Sequence, residues 1–336
     1  MTPIISVRNV TRSFQSTKKE PGFKGSLKLL LKPKKVTKTA VHEVSFEIKK
    51  GSFVGLIGAN GAGKTTLLKI LSGLIPPTSG EVKVLGSQPF KRTIEFRKKI
   101  ALVMGQKAQL WWDLPARDAF DLIQAIYEIP EKIYQERLHT LTEILNVNSL
   151  LHTQIRRLSL GERMKMELIG AILHWPEVIY LDEPTIGLDL LAAHHLREFL
   201  KVHNEKEKAT IILTSHNMDD IEQLCSRIMI MKEGKLIFDG DPEQLTKTEE
   251  KRLRLTFKED ISQMKLQEIL NLDSTKIIKE NDRNFLISLE PKAIADTLAT
   301  LMKQTSVHDI GIENQSLETV IQNLYTQSTQ ITGFNL

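Results

Sequence analysis

The sequence predicts an α/β fold, because apolar runs typical of buried parallel strands alternate with helical stretches along the first two thirds of the chain. Residues 178–181 and 211–214 are such runs. A third run, residues 53–57, leads into a glycine-rich loop and then into a helix-like stretch. Strand, loop and helix in this order are typical of one class of nucleotide-binding domain.

The other elements of this part follow from hydrophobic patterning. Residues 4–14 and 41–48 predict two strands, and residues 100–104 predict a short third one. Residues 107–160 predict a mostly helical subdomain. Residues 227–239 predict a hairpin that turns at a glycine.

Composition limits the class of protein. The chain has 336 residues, 41% hydrophobic and 26% charged, with a net charge of +5. This suits one large domain and a smaller one. The single cysteine, Cys225, excludes an internal disulfide, and we expect it to be a buried small apolar residue. No run approaches the about 20 apolar residues that span a bilayer, so we expect a soluble or peripherally attached protein.

The composition of the sequence changes near residue 240, where a polar stretch begins that we interpret as a linker. The segment beyond it predicts a β-α-β-β-α-β order, which is the order of a small ferredoxin-like α+β domain. We therefore predict two domains, residues 1–245 and residues 246–336. The second domain is expected to regulate or to dimerise, or else only to stabilise a dimer of the chain.

The glycine-rich loop, residues 58–66, predicts binding of a nucleoside triphosphate. Its glycines let successive backbone N–H groups point at phosphate oxygens, and the following helix adds its positive end. Lys64 is expected to reach the β- and γ-phosphates, and the Thr65 hydroxyl to bind Mg²⁺. A glycine-rich turn without a ligand is the alternative. The predicted nucleotide-binding residues of the loop are Gly58, Asn60, Gly61, Ala62, Gly63, Lys64, Thr65 and Thr66.

Two carboxylates follow the apolar run 178–181, at the edge of the sheet where the phosphates would lie. Asp182 is placed to organise the Mg²⁺ shell, and Glu183 to orient and deprotonate the attacking water. The alternative is a pair of acids that only begins a helix.

The run Leu158-Ser159-Leu160-Gly161-Glu162 completes a recognisable set of motifs. Together with the glycine-rich loop, the acidic pair, Gln106 and His216, it resembles an ABC transporter ATP-binding subunit over roughly residues 4–245. The resemblance implies a P-loop NTPase core with a mixed β-sheet and a helical subdomain, ATP and Mg²⁺ as cofactors, and ATP hydrolysis as the reaction.

The resemblance also implies roles for single residues. Phe14 matches the aromatic residue that stacks on adenine, and Gln106 the glutamine that senses Mg²⁺ and the membrane partner. Asp189 matches the loop that crosses to a second subunit, and His216 the histidine that contacts the γ-phosphate. The alternatives are a core aromatic for Phe14, a solvated strand end for Gln106 and a helix-start histidine for His216.

The signature run departs from the family's usual Leu-Ser-Gly-Gly-Gln. Leu160 replaces a glycine and Glu162 replaces the glutamine, whereas Ser159 and Gly161 are kept. Ser159-x-x-Glu162 is also a capping box. A glutamate that faced a γ-phosphate would repel it, so we expect the Glu162 carboxylate to fold back onto the backbone.

The resemblance implies two chains packed head to tail, with each ATP between the loop of one chain and the signature of the other. It further implies separate transmembrane permease subunits and a peripheral position on the cytoplasmic face of the inner membrane, without nucleic acid. Trp111, Trp112 and Leu114 are expected to form a groove for a permease helix, or else to be core.

A basic insertion, residues 15–38, holds eight lysines and one acid. Residues 18–35 are expected to form a short basic amphipathic helix on an anionic membrane surface or a permease loop, or else to be a solvated excursion. The insertion, the signature and residues 103–118 are similar to exporters of drugs, antibiotics or polysaccharides. An importer subunit, or a non-transport ATPase acting on ribosomes or DNA, remains the alternative; a P-loop GTPase is disfavoured because no Asn-Lys-x-Asp motif occurs.

Overall fold

The computed structural model describes residues 2–17, 35–104, 109–246, 251–273, 276–314 and 317–326. The chain divides into two compact units, residues 1–240 and residues 241–336. Each unit has its own sheets, helices and apolar core.

The described part of the first unit contains a six-stranded sheet with the strand order β5-β6-β7-β3-β8-β9. All neighbouring strands are parallel except β8 and β9, which form the predicted hairpin. Parallel strands covered on both faces explain the continuous apolar runs in the sequence. The strands are β3 (Phe53–Gly58), β5 (Ile100–Met104), β6 (Val178–Asp182), β7 (Thr210–Thr214), β8 (Arg227–Lys232) and β9 (Lys235–Gly240).

A second, antiparallel sheet has the order β2-β1-β4 and comprises β1 (Ile5–Thr17), β2 (Lys35–Ile48) and β4 (Ser79–Val84). The sequence patterns did not predict strand β4. The ladder between β1 and β2 reaches both ends of the predicted basic insertion, residues 15–38, because Gln15 pairs with Thr37 and Phe14 with Lys38. It extends the sheet into that segment. The predicted amphipathic helix falls mostly on residues 18–34, outside the described residues.

The seven α-helices described in the first unit are α1 (Lys64–Leu71), α2 (Ile94–Lys98), α3 (Ala116–Tyr127), α4 (Glu131–Ile144), α5 (Leu160–Ile172), α6 (Leu190–Glu207) and α7 (Met218–Leu224). Helices α3 and α4 lie within the predicted helical subdomain, residues 107–160, and α5 begins where that range ends. Cys225, directly after α7, is buried, and burial raises the pKa of its thiol. It is the small apolar residue that the sequence predicts.

Helix α1 lies in the main core, which joins the antiparallel sheet to the six-stranded sheet. Each of its fully buried leucines contributes about 1.5–3 kcal/mol relative to an exposed position. The glycine-rich loop is therefore held at both ends, by the buried strand β3 and by a buried helix. Core members include Ile5, Ile48, Leu67, Leu68, Leu71, Tyr180 and Ile212.

The second unit is built on a four-stranded antiparallel sheet with the order β11-β12-β10-β13. The strands are β10 (Lys251–Phe257), β11 (Ile277–Lys279), β12 (Asn284–Leu289) and β13 (Val307–Asn314). The described helices are α8 (Pro242–Thr246), α9 (Gln263–Leu270), α10 (Ile294–Gln304) and α11 (Leu317–Thr326). From β10 to β13 the elements follow the order β-α-β-β-α-β. Leu255, Phe285, Leu266 and Leu301 join strands and helices in one core.

Candidate nucleotide-binding site

The backbone of the glycine-rich loop is fixed by close contacts with two strands. A Cβ atom on Gly63 would lie 2.2 Å from the carbonyl oxygen of Ala40 in β2, and Gly63 has a φ of +106°. A Cβ atom on Gly58 would lie 2.7 Å from the carbonyl oxygen of Met231 in β8. Both positions therefore accept only glycine. Gly61 also has a positive φ, of +82°, but its added Cβ would meet nothing within 4 Å.

Lys64, the first residue of α1, is buried and lies over the loop. Its Nζ donates to the carbonyl oxygens of Gly58 and Ala59. Burial lowers the pKa of Lys64, and the nearby carboxylates of Glu183 and Asp182 partly oppose that shift. A cation beside the N-terminus of a helix and a ring of backbone N–H groups is suited to bind phosphate.

Asp182 joins three elements at the edge of the six-stranded sheet. Thr65 on α1 donates its hydroxyl to Oδ2, and Thr214 at the end of β7 donates to Oδ1, both at 2.7 Å. A carboxylate beside a hydroxyl is an all-oxygen set, which suits Mg²⁺. The sequence analysis missed Thr214, although a threonine that closes an apolar run was the available signal.

Glu183 and His216 form a contact beside this set. The His216 Nε2 lies 2.7 Å from the Glu183 Oε1, and the imidazole is about half exposed. Glu183 has a φ of 58°, in the left-handed region that costs a non-glycine residue energy. Its N–H donates to the carbonyl and the hydroxyl oxygens of Thr214, which hold this strained residue in place.

The signature run forms the predicted capping box at the start of α5. Ser159 accepts the N–H of Glu162, and the Glu162 carboxylate accepts the N–H and the hydroxyl of Ser159 at 2.8 and 2.7 Å. These hydrogen bonds lower the pKa of Glu162. In this structure the carboxylate folds back onto the backbone, as the sequence predicts.

The signature loop also touches the loop that contains Asp189. A Cβ atom on Gly161 would lie 2.7 Å from the carbonyl oxygen of Gly187, and Leu160 lies against Gly187. Asp189 caps the N-terminus of α6 by accepting the N–H of Ala192 at 2.8 Å, which lowers its pKa. The two loops thus form one surface around two helix N-termini.

Phe14 lies in the long strand β1 and is 39% exposed, so the alternative of a core aromatic is wrong. The Arg12 guanidinium lies 4.7 Å from the centroid of its ring. Gln106 lies outside the described residues. The strand that precedes it, β5, ends at Met104 beside Asp182 in the sheet register.

A groove of about 350 Å³ lies between the helical subdomain and the first residues of β5, residues 100–102. Trp111 and Trp112 are 47% and 49% exposed, so they are not core residues. The buried carboxylate of Glu167 on α5 accepts the N–H groups of Gln109 and Leu110, which ties the groove wall to the signature helix. The groove is lined by residues that include Leu102, Leu110, Trp111, Ile123, Tyr127 and Arg97.

A glycine-rich loop between β3 and α1, with acidic residues at the end of β6, is the arrangement of a P-loop nucleotide-binding domain. The family model described as ABC transporter matches residues 41–186. The ABC transporter ATP-binding protein NatA of Bacillus subtilis is 32% identical over 216 residues, 64% of this chain and 87% of the relative.

The bacitracin transport ATP-binding protein BcrA of Bacillus licheniformis is 32% identical over 217 residues, 64% of this chain and 69% of the relative. A solved ATP-binding subunit of an ABC transporter has the same fold, with a TM-score of 0.61 at 24% identity, covering 72% of this chain and 91% of that one. The chain belongs to the ABC transporter ATP-binding proteins. It is the ATP-binding subunit of such a transporter, and its reaction class is ATP hydrolysis. Among the described residues, no helix has the length and apolarity needed to cross a bilayer.

Replacement of Gly63 by alanine is expected to destabilise the loop far more than the same change at Gly61. Both residues have a positive φ, which costs alanine about 1–2 kcal/mol. Only Gly63→Ala adds a clash with the Ala40 carbonyl. Urea unfolding of the two variants measures the difference. Equal losses of unfolding free energy would show that the contact with β2 does not constrain the loop.

Proposed function

We propose that this chain binds MgATP at the glycine-rich loop and hydrolyses it to drive export through separate permease subunits. One observation carries the proposal. At one edge of the sheet Thr65 donates to Asp182 and His216 contacts Glu183. Lys64 lies close enough to both carboxylates for their charges to act on its pKa. A cation, a hydroxyl–carboxylate pair and a carboxylate–imidazole pair are the groups that phosphoryl transfer to water requires.

Each residue has a distinct role in this proposal. Lys64 and the backbone N–H groups of residues 61–66 stabilise charge on the transferred phosphoryl group. Thr65 and Asp182, with Gln106, hold Mg²⁺, which neutralises phosphate charge when bound. Glu183 accepts a proton from the attacking water, and His216 orients that carboxylate and contacts the γ-phosphate. Phe14 stacks on the adenine, and its partial exposure supports this role.

A second copy of the chain completes the pocket. Ser159 lies at the N-terminus of α5, where backbone N–H groups favour an anion. Leu190, next to Asp189, is 90% exposed, as is expected of a residue that becomes covered in a homodimer. Binding of ATP between two copies shifts the equilibrium toward the closed dimer.

The groove beside Trp111 is proposed to receive a cytoplasmic helix of a permease, which places the chain peripherally at the cytoplasmic face of the inner membrane. Apolar side chains such as Leu102 and Leu110, together with the exposed Trp111, line the groove and support a helix-in-groove contact. The resemblance to the bacitracin transport protein supports export. The lysines of residues 18–35 are proposed to contact anionic lipid, on charge alone. The domain after residue 245 is proposed to regulate or to dimerise.

Lys64→Ala is expected to remove measurable ATP binding, because the phosphates lose their buried cation. Lys69→Ala, on the same helix, serves as the matched control and is expected to bind ATP as the wild type does. Isothermal titration calorimetry with MgATP measures both affinities. Equal affinities for the two variants would remove Lys64 from the site.

Glu183→Gln is expected to bind ATP but to lower kcat by at least 100-fold, because an amide cannot accept the proton of water. The stalled protein is expected to accumulate as a dimer with ATP in size-exclusion chromatography. Glu222→Gln, an exposed site on α7, is the control. Hydrolysis at the wild-type rate in the Glu183 variant would assign the base to another residue.

A further inference from the structure

Asp220 on α7 is a completely buried carboxylate that the proposed mechanism does not use. It accepts the hydroxyl of Thr185 at 2.7 Å and that of Ser215 at 2.8 Å, both on Oδ2. Its Oδ1 accepts Nη1 of Arg197 at 2.7 Å, and the Arg197 side chain is only 12% exposed. The carboxylate thus has three donors from three different segments.

Two of these donors lie next to the proposed catalytic residues in the sequence, which suggests a role for the carboxylate beyond folding. Thr185 lies two residues after Glu183, and Ser215 lies directly before His216. Ser215 also accepts the N–H of Asn217, the residue that caps α7. One buried oxygen therefore holds the chain segments of both members of the Glu183–His216 pair. Arg197, on the neighbouring helix α6, balances the charge.

The simpler explanation is that Asp220 and Arg197 form a buried ion pair that contributes only to folding. A buried carboxylate is costly unless it is paired, and a salt bridge to Arg197 would suffice for that. It would not require Thr185 and Ser215, two hydroxyls from the segments that carry Glu183 and His216, to meet on the same oxygen. The left-handed φ of Glu183 also needs a fixed backbone on both sides.

We propose that Asp220 is a positioning residue for ATP hydrolysis. It holds Thr185 and Ser215 so that the Glu183 carboxylate and the His216 imidazole stay in contact at 2.7 Å. In this role it acts through the hydroxyls of Thr185 and Ser215. The proposal rests on the proposed function of Glu183 and His216.

Three variants separate positioning from folding. Arg197→Met removes the charge partner but leaves both hydroxyl contacts. Asp220→Leu keeps the shape of the side chain but removes every acceptor and leaves Arg197 buried and unpaired. The double variant Arg197→Met/Asp220→Leu replaces the ion pair by apolar side chains, a change that often leaves stability unchanged. Asp219→Asn, the exposed neighbour on α7, is the control.

Positioning predicts that activity and stability do not change together. Arg197→Met is expected to melt at a lower temperature but to keep kcat within about threefold of the wild type. The double variant is expected to recover the melting temperature, to bind ATP within about twofold of the wild type and to lose tenfold or more in kcat. A double variant with wild-type kcat would overturn the proposal.

A crystal structure of the double variant tests the same claim without turnover. The distance between the His216 Nε2 and the Glu183 Oε1 is expected to exceed hydrogen-bond distance. Retention of the 2.7 Å contact would overturn the proposal. If the wild-type chain did not hydrolyse ATP, the proposed function would fail on that result, and this distance would still decide the role of Asp220.

Discussion

The parallel pairing of β3, β6 and β7 is the constraint on which the site depends. In the register of the sheet, Asp182 faces Thr214 directly, and β3 delivers Gly58 to the same edge. Parallel strands end together, so residues that are more than 100 positions apart in sequence come within hydrogen-bond distance. The buried helix α1 then fixes Lys64 and Thr65 above that edge. Hydrophobic burial thus determines where the polar groups meet.

The polar groups at this edge are held by one another. Asp182 accepts hydroxyls from α1 and β7, and Glu183 keeps a strained backbone through Thr214. Buried or half-buried polar groups of this kind are stable only when they are satisfied. Asp220 is a further buried polar group that is satisfied in this way, because it accepts hydroxyls from the segments that carry Glu183 and His216.

Features that depend on residues close together in the sequence were predicted from sequence patterns. The glycine-rich loop, the capping box of Ser159 and Glu162, and the buried parallel strands follow from short spacings along the chain. The role of Thr214 was missed because it depends on the sheet register, which pairs Thr214 with Asp182. The role of Asp220 could not be predicted, because its donors Thr185 and Arg197 lie 35 and 23 residues away in the sequence and meet it only in the fold. The extension of β1 and β2 into the predicted insertion was missed, since lysine-rich sequence gives little β signal although edge ladders tolerate it. The close contact between Gly63 and the Ala40 carbonyl likewise depends on tertiary structure, so the sequence alone does not predict it.

The structure of the chain with MgATP bound tests the account most directly. The account predicts that Lys64 Nζ leaves the carbonyl oxygens of Gly58 and Ala59 for the β- and γ-phosphates, and that Thr65 and Asp182 would hold the metal. It also predicts a second copy whose Ser159 faces the γ-phosphate while Glu162 stays folded onto its own backbone. Nucleotide bound away from the glycine-rich loop, or a Glu162 carboxylate against the γ-phosphate, would contradict it.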